Sequence, residues 1–489
     1  MSKTVIVVGT GNAAAAAALA ARESGAKVIM LDKASKQERA GNTRFTFGLI
    51  RFAFDDPKEI KELLPEVSAS EWKQITVEPY PKKVFYDAIM KTGDYQPDPD
   101  LTDWLVSSSK DTILWLTRHG MKWEFAQLMA TAIGGNRVYS GGLVLQSKAM
   151  GEGWVSMQMN AVEQQQVEIR YSTAATALLT DASGAVTGVR VRDASGRVEE
   201  LLGAVILAAG GFQANPEMRT RYLGAEWNVI KVRGARFDTG EMLQECLRIG
   251  AQTAGNWGGA HATCIDPSSP DVGELSRAEF TTRTSFSYGI SVNRNGQRFF
   301  DEGWDWPSQT YVRMGKAVLK QPDQTAFQIF DQSAVELIDP QYKTQPSIVA
   351  QTLEELAEKC GINAAELART VREYNAAIDT SKPFNPNVKD GRITRGLPVA
   401  KSNWANAIEK APYVAYKVIS GITFTFGGVK IDRHARVLDY TNQPVPGLYA
   451  TGEMTGGFFY NSYPAGSGLM RGAVTGRAAG SHAAKLLNA

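Results

Sequence analysis

Thr4 to Val8 is an unbroken run of β-branched positions. Runs without polar alternation suit a strand buried on both faces of a parallel sheet. Gly9-Thr10-Gly11 interrupts the run, and the alanine-rich stretch Asn12 to Arg22 predicts a helix. A second apolar run, Lys27 to Leu31, ends on Asp32. Further along, residues 55–125 read as largely helical, with Trp72, Trp104, Trp115 and Trp123 spaced as core positions. Gly151 to Val162 predicts a helix. Val167–Arg170, Ala177–Thr180 and Val186–Arg192 predict strands, with Asp-Ala-Ser-Gly turns between them. Ala204 to Leu207 is a buried strand running into Gly210-Gly211, and Gly447 to Ala450 is another delivering Gly452-Glu453. Gly466-Ser467-Gly468 opens an Ala/Gly-rich helix, Leu469 to Leu487, and Thr352 to Ile378 is an amphipathic helical stretch.

The opening pattern is strand, glycine turn, helix, strand, acid. It is the dinucleotide-binding βαβ arrangement. Gly9 permits the tight turn, and Gly11, lacking a Cβ, lets a pyrophosphate approach the backbone. Ala14 keeps helix and strand close, and the helix N-terminus offers free N–H groups to phosphate. Asp32, 18 residues after Ala14, stands at the spacing of a carboxylate that binds a ribose hydroxyl. Ala40-Gly41-Asn42-Thr43 follows as a second small, polar turn. The glycine turns after 207 and 450 add two more places where backbone can meet a large dinucleotide.

Composition narrows the class. The chain has 489 residues, room for two domains, and a net charge of +2 without a basic block, so nothing points to nucleic acid. No apolar stretch approaches the roughly 20 residues of a membrane span. The three cysteines, Cys246, Cys264 and Cys360, are widely spaced, so neither a metal nor a cluster is expected. Sparse, odd-numbered cysteines fit a reducing compartment, and a cytoplasmic enzyme is the expectation. Residues 258–421 are richer in Pro, Asp and aromatics. They are read as an inserted domain, with 1–257 and 422–489 forming the two parts of the nucleotide-binding domain.

The βαβ start, Ala-Gly-Asn-Thr at 40–43, Val205 to Phe212, Val292 to Glu302, Phe426 to Asp432 and Gly447 to Gly457 together resemble the fumarate reductase/succinate dehydrogenase flavoprotein superfamily. The resemblance implies an α/β fold, a Rossmann-like FAD-binding domain split by an inserted α+β capping domain, FAD, and chemistry on a C–C bond beside an activating group; with no histidine between Asp32 and Asp103, the FAD is expected to be non-covalent. Val232 to Phe237, Ala260-His261-Ala262, Thr282-Arg283, Arg298 to Gly303 and Gly421 to Phe426 are most similar to the tricarballylate dehydrogenase subgroup. Tyr463-Pro464-Ala465-Gly466-Ser467 is similar to the Tyr-Pro-Gly-x-Gly of 3-ketosteroid Δ1-dehydrogenases. There are departures. Fumarate reductases carry an arginine soon after the acid pair at 301–302, a histidine before the Gly-Gly at 427–428 and an arginine in the loop after 453. Here those places read Gly303 to Trp306, Thr423 to Phe426 and, nearest, Tyr463.

The resemblance and the residue chemistry together give a candidate set. Gly9, Gly11, Asn12, Ala13, Asp32, Lys33, Gly41, Asn42, Thr43, Ala209, Gly210, Gly211, Gly452, Glu453, Ser467, Gly468 and Leu469 are expected around the cofactor. Tyr463, Arg283, His261 and Tyr288 are the catalytic candidates, and Thr423, Thr425, Phe45 and Ser467 the substrate-binding ones. Arg298 and Glu302 read as a structural pair. The expected reaction desaturates, or in reverse reduces, a CH–CH bond of a small carboxylate such as a tricarballylate-like acid. Electrons pass to an external acceptor, whether partner protein, quinone or oxygen. A cyclic or bulky ketone substrate, or a subunit of an electron-transfer complex, is the alternative.

Overall fold

The first apolar run becomes the centre of a six-stranded sheet. A computed structural model describes residues 4–133, 135–139, 141–344 and 346–488. It divides into two units: residues 1–228, 234–260 and 424–489 form the first, and 229–233 and 261–423 the second. The sequence reading put Val229–Arg233 in the nucleotide-binding part. The structure gives it to the second unit, because the two-residue strand Lys231–Val232 pairs in parallel with Gly421–Ile422. A strand that short has no periodicity to detect.

In the first unit the strand order is Arg436–Leu438, Pro444–Ala450, Ala204–Leu207, Thr4–Val8, Lys27–Leu31, Glu168–Arg170, all parallel except the first. Thr4–Val8 lies between its sequence neighbour and a strand 200 positions later, so the order reverses there, which is where such sheets bind ligands. Register completes the picture. Val8 is level with Leu31 and Leu207, and Leu207 with Ala450. The glycine turns at 9, 210 and 452 therefore leave one edge of the sheet at the same height.

Helix Asn12–Glu23 follows the first turn, and the C-terminal helix Ser467–Asn488 lies against it. A Cβ at Gly476 or Gly480 would collide with the backbone carbonyl of Ala13 or Ala17, so the two helices touch nearly backbone to backbone. An antiparallel three-stranded sheet, Thr173–Thr180, Val186–Asp193 and Val198–Leu202, is a separate hydrogen-bonded sheet that packs beside the main one. In its first turn the Asp181 carboxylate accepts from the Ser183 backbone N–H at 2.8 Å. Asp193 accepts from Ser195 in the same way at 2.9 Å in the next turn.

The second unit is built on the long strand Tyr413–Thr425, whose last two residues return to the first unit. It pairs with Lys231–Val232, Thr325–Phe330, Ala260–Ile265 and Ile348–Ala350. Two helices cover it: the predicted stretch 352–378 is Leu353–Cys360 and Ala364–Ala376. Gly361, with φ 67°, ends the first, and the Asn363 side chain caps the second by accepting from Glu366 N–H. Leu356, Leu367, Val371 and Tyr374 seal the core against Ile290, Phe327 and Ile329. Among the described residues no helix is long and apolar enough to cross a membrane.

Candidate active site

The first turn is held in the shape that phosphate binding needs. Gly9 has φ 121°, and a Cβ there would strike the carbonyl of Ala208, so only glycine fits. Gly11 differs: its Cβ would meet nothing nearer than 3.4 Å. The protein's own packing does not demand glycine at 11, whereas a ligand against the helix N-terminus would. The N-cap residue Gly11 has no side chain to cap the helix, so apart from the Asn12 N–H, which Thr43 Oγ1 accepts, the first turn receives no cap from its own N-cap position.

Asn12 is a tie-point. Its side-chain N–H donates to the Leu469 carbonyl at 2.7 Å, and its Oδ1 accepts from Trp154 Nε1 at 3.1 Å and Gln158 Nε2 at 2.9 Å. The Asn12 backbone N–H donates to Thr43 Oγ1 at 3.0 Å. The predicted cofactor residues Asn12, Thr43 and Leu469 are thereby brought together, with Asn12 and Thr43 serving as scaffold. Ala13 lies beneath Gly452. Asp32 accepts from the Thr10 hydroxyl and, at 2.9 Å, from Ala34 N–H. Burial raises its pKa above the usual carboxylate value, against those hydrogen bonds. Lys33 reaches away to Thr239 and Glu241, the latter at 2.9 Å.

The second and third glycine turns meet at one carboxylate. Glu453 accepts from Asn42 Nδ2 at 3.1 Å, Gly211 N–H at 3.2 Å and Gln213 Nε2 at 3.2 Å. Asn42 in turn accepts from Ala235 N–H at 3.0 Å. Gln213 also donates to Asp238, a buried acid lying under Gly210 and Gly41. Burial raises the pKa of both Asp238 and Glu453, and the charge of Glu453 pushes Asp238 further up. Asp238 and Gln213 escaped the sequence reading, because neither lies in a glycine turn.

Several buried polar atoms of this unit have no hydrogen-bond partner among the described residues, among them Gln213 Oε1, Thr425 Oγ1 and Ser467 Oγ. A Cβ at Gly211 would fall against both Thr425 and Gln213. Buried polar groups are normally satisfied. Unsatisfied ones beside glycine turns, a helix N-terminus whose cap residue is glycine and a carboxylate at the second strand end fit a flavin adenine dinucleotide. Gly9, Gly11 and Asp32 would hold its adenylate half. Gly41, Asn42, Ala209 to Gly211, Glu453 and Ser467 to Leu469 would hold the remainder. Phe45 closes the short helical turn Gly41–Phe45 in the same unit.

Tyr463 stands in the loop between Glu453 and Ser467. Its ring is 5.1 Å from Phe424 and 5.1 Å from Phe459, edge-on to the former. Arg471, in the first turns of the C-terminal helix, lies over the same two rings, 5.6 Å from Phe424 and 5.0 Å from Phe459. It is 2 % exposed. Nothing in the sequence singled it out, since an arginine in an Ala/Gly helix reads as a surface residue.

In the second unit, His261 is buried at the start of strand Ala260–Ile265, with Tyr311 edge-on at 5.1 Å. Burial first, then the charges of Arg233 and Lys316, hold its pKa well below the usual histidine value. Arg233 Nε donates to Thr423 Oγ1 at 3.1 Å. Arg233 falls within the stretch Val232 to Phe237, and its residue type alone gave it no role.

Arg283 is a correction. Its guanidinium, fully buried, pairs with Asp266 at 2.7 Å and donates to the Thr282 carbonyl at 2.9 Å and Thr344 Oγ1 at 3.2 Å. It also lies over the Tyr342 ring at 5.1 Å. Its two terminal nitrogens are engaged inside the unit, although Nε has no hydrogen-bond partner among the described residues, and the pairing with Asp266 gives it a structural role. Tyr288 packs against Phe330 and Tyr342, and burial pushes its pKa up to about 12. Arg298 and Glu302 form a buried pair at 2.5 Å, which also takes up Ser291 N–H and the Val399 carbonyl.

A family profile described as FAD binding domain matches residues 4–469. The chain is 30% identical over 489 residues to the probable fumarate reductase Ifc3 of Shewanella frigidimarina (strain NCIMB 400), covering 98% of this chain and 74% of that protein. The open conformation of a flavocytochrome c3 fumarate reductase superposes with a TM-score of 0.69 at 26% identity, over 99% of this chain and 78% of that one. The fold is shared with 3-ketosteroid delta1-dehydrogenase from Sterolibacterium denitrificans, with a TM-score of 0.76 at 20% identity over 99% and 100% of the two chains.

Proposed function

The chain belongs to the FAD binding domain family and is an FAD-dependent oxidoreductase of CH–CH groups; we propose that its substrate is a small carboxylate, a tricarballylate-like acid desaturated beside its carboxyl group or, in reverse, an enoate reduced. FAD, when bound, supplies the two-electron acceptor or donor. Tyr463 handles the proton: its phenolate takes it during desaturation, and the resulting phenol returns it during reduction. The observation that carries this is the placement of Tyr463, a phenol fixed by the Phe424 and Phe459 rings in the loop joining two cofactor segments. Electrons enter or leave through an external partner protein, quinone or oxygen. Three free, buried cysteines suit a reducing compartment such as the cytoplasm.

The Tyr463-Pro464 turn and its aromatic walls favour a second reading, a cyclic ketone substrate whose carbonyl oxygen Tyr463 would hold. One experiment tests both. The FAD-loaded protein is mixed anaerobically with tricarballylate, succinate and cyclohexanone derivatives, and flavin bleaching is followed; the dye-reduced protein is mixed with the matching enoates and enones. Bleaching or reoxidation by carboxylates alone supports the first reading, and by ketones alone the second. Tyr463→Phe is expected to lower the rate about 100-fold or more with FAD content unchanged. No response to any compound would overturn the reading.

A further inference from the structure

Arg471 sits in an environment that asks for an anion. It is 2 % exposed, and its Nε has no hydrogen-bond partner among the described residues. The nearest acid by charge, Glu453, already accepts from Asn42, Gly211 and Gln213. Two phenylalanine faces flank the guanidinium. They offer a weak attraction and exclude the water that would otherwise solvate it. Burial lowers its pKa to about 10, so it keeps its charge at neutral pH. A buried, charged fork with an unused donor is stable only if something completes it, and its geometry matches a carboxylate bidentately.

The position adds a second argument. Arg471 shares the Phe424 and Phe459 rings with Tyr463. The charge of Arg471 also interacts with Tyr463, so a group bound at the phenol would lie near the guanidinium. We propose that Arg471 is the specificity-determining residue of the site, the side chain that grips a substrate carboxylate and selects an anion over a neutral ketone. This rests on the function proposed above, and it converts the choice between acid and ketone into the property of one residue.

The test uses the FAD-loaded protein and needs no knowledge of the true substrate. Malonate and its neutral diamide are titrated, and binding is read from the flavin difference spectrum. Wild type is expected to bind malonate and ignore the diamide. Arg471→Gln is expected to weaken malonate by about 30-fold or more, with FAD content and the unliganded spectrum unchanged; Arg471→Lys is expected to retain the preference for the anion in weakened form. Equal malonate affinity in Arg471→Gln overturns the assignment. So does loss of FAD or a shifted unliganded spectrum in both variants, which would give the guanidinium to the cofactor. If Arg471→Gln does not fold, wild type alone decides against the assignment when diamide binds as well as malonate. Failure of the underlying reading looks different: wild type then bleaches with no carboxylate in the turnover screen, whatever the malonate titration shows.

Discussion

Asn12 Nδ2 and the carbonyl of Leu469 are 2.7 Å apart, a bond across 457 positions that fastens the start of the first helix to the start of the last. Its Oδ1 simultaneously serves Trp154 and Gln158. Asn12→Asp keeps the acceptor and removes the donor, while setting a negative charge at the helix N-terminus where a phosphate would bind. The expected result is a protein that folds, losing about 1–3 kcal/mol in denaturant melts, and is purified without yellow colour. Asn12→Ala leaves the Trp154 and Gln158 donors without their acceptor and is expected to be the less stable of the two.

The Arg283–Asp266 pair gives a contrasting outcome. Arg283→Met strands a buried carboxylate, and stability is expected to fall by about 3–5 kcal/mol. The folded fraction is expected to keep its kcat and KM. A selective loss of kcat with normal melting would instead return Arg283 to the reaction.

His261 makes stability depend on acid. Its folded pKa is below the unfolded value of 6.5, so as pH falls through 6.5 the unfolded chain binds a proton that the native state refuses. Stability is lost from that point downward, by up to about 1.4 kcal/mol per pH unit, and is fully present above it. Urea melts between pH 5 and 8 are expected to show a steeper acid-side decline in wild type than in His261→Asn.

The three thiols are buried, and burial pushes each up to about 12. The native protein is therefore expected to be inert to Ellman's reagent at pH 8, with three equivalents released in denaturant. Fast reaction of one thiol in the folded protein would show that its cover opens readily.

What the sequence made legible is local. The strand Thr4–Val8, its glycine turn and the terminal acid are contiguous, and buried parallel strands announce themselves as apolar runs. The glycine turns at 210 and 452 were equally visible. The split of 352–378 into two helices had a signal in Gly361 and Asn363, a stop followed by a cap. The rest depends on contacts distant in sequence. Asp238 matters because it lies under Gly210 and Gly41, and no spacing rule links those positions. Arg471 and Arg283 show the same limit from opposite sides. An arginine's residue type does not say whether it pairs with a buried acid, as at Arg283, or lies between two aromatic faces, as at Arg471.

The chain passes between its two units four times, at 228/229, 233/234, 260/261 and 423/424. A recombination experiment that exchanges the second unit with a relative's must therefore transplant two segments, not one. Moving 261–423 alone would marry a foreign long strand to the resident Lys231–Val232, and with it to Arg233, whose side chain bonds Thr423. The five residues 229–233 are the genetic seam of the protein: they travel with the second unit in space while lying 27 residues upstream of it in sequence, and a chimera that respects the obvious border would break there first.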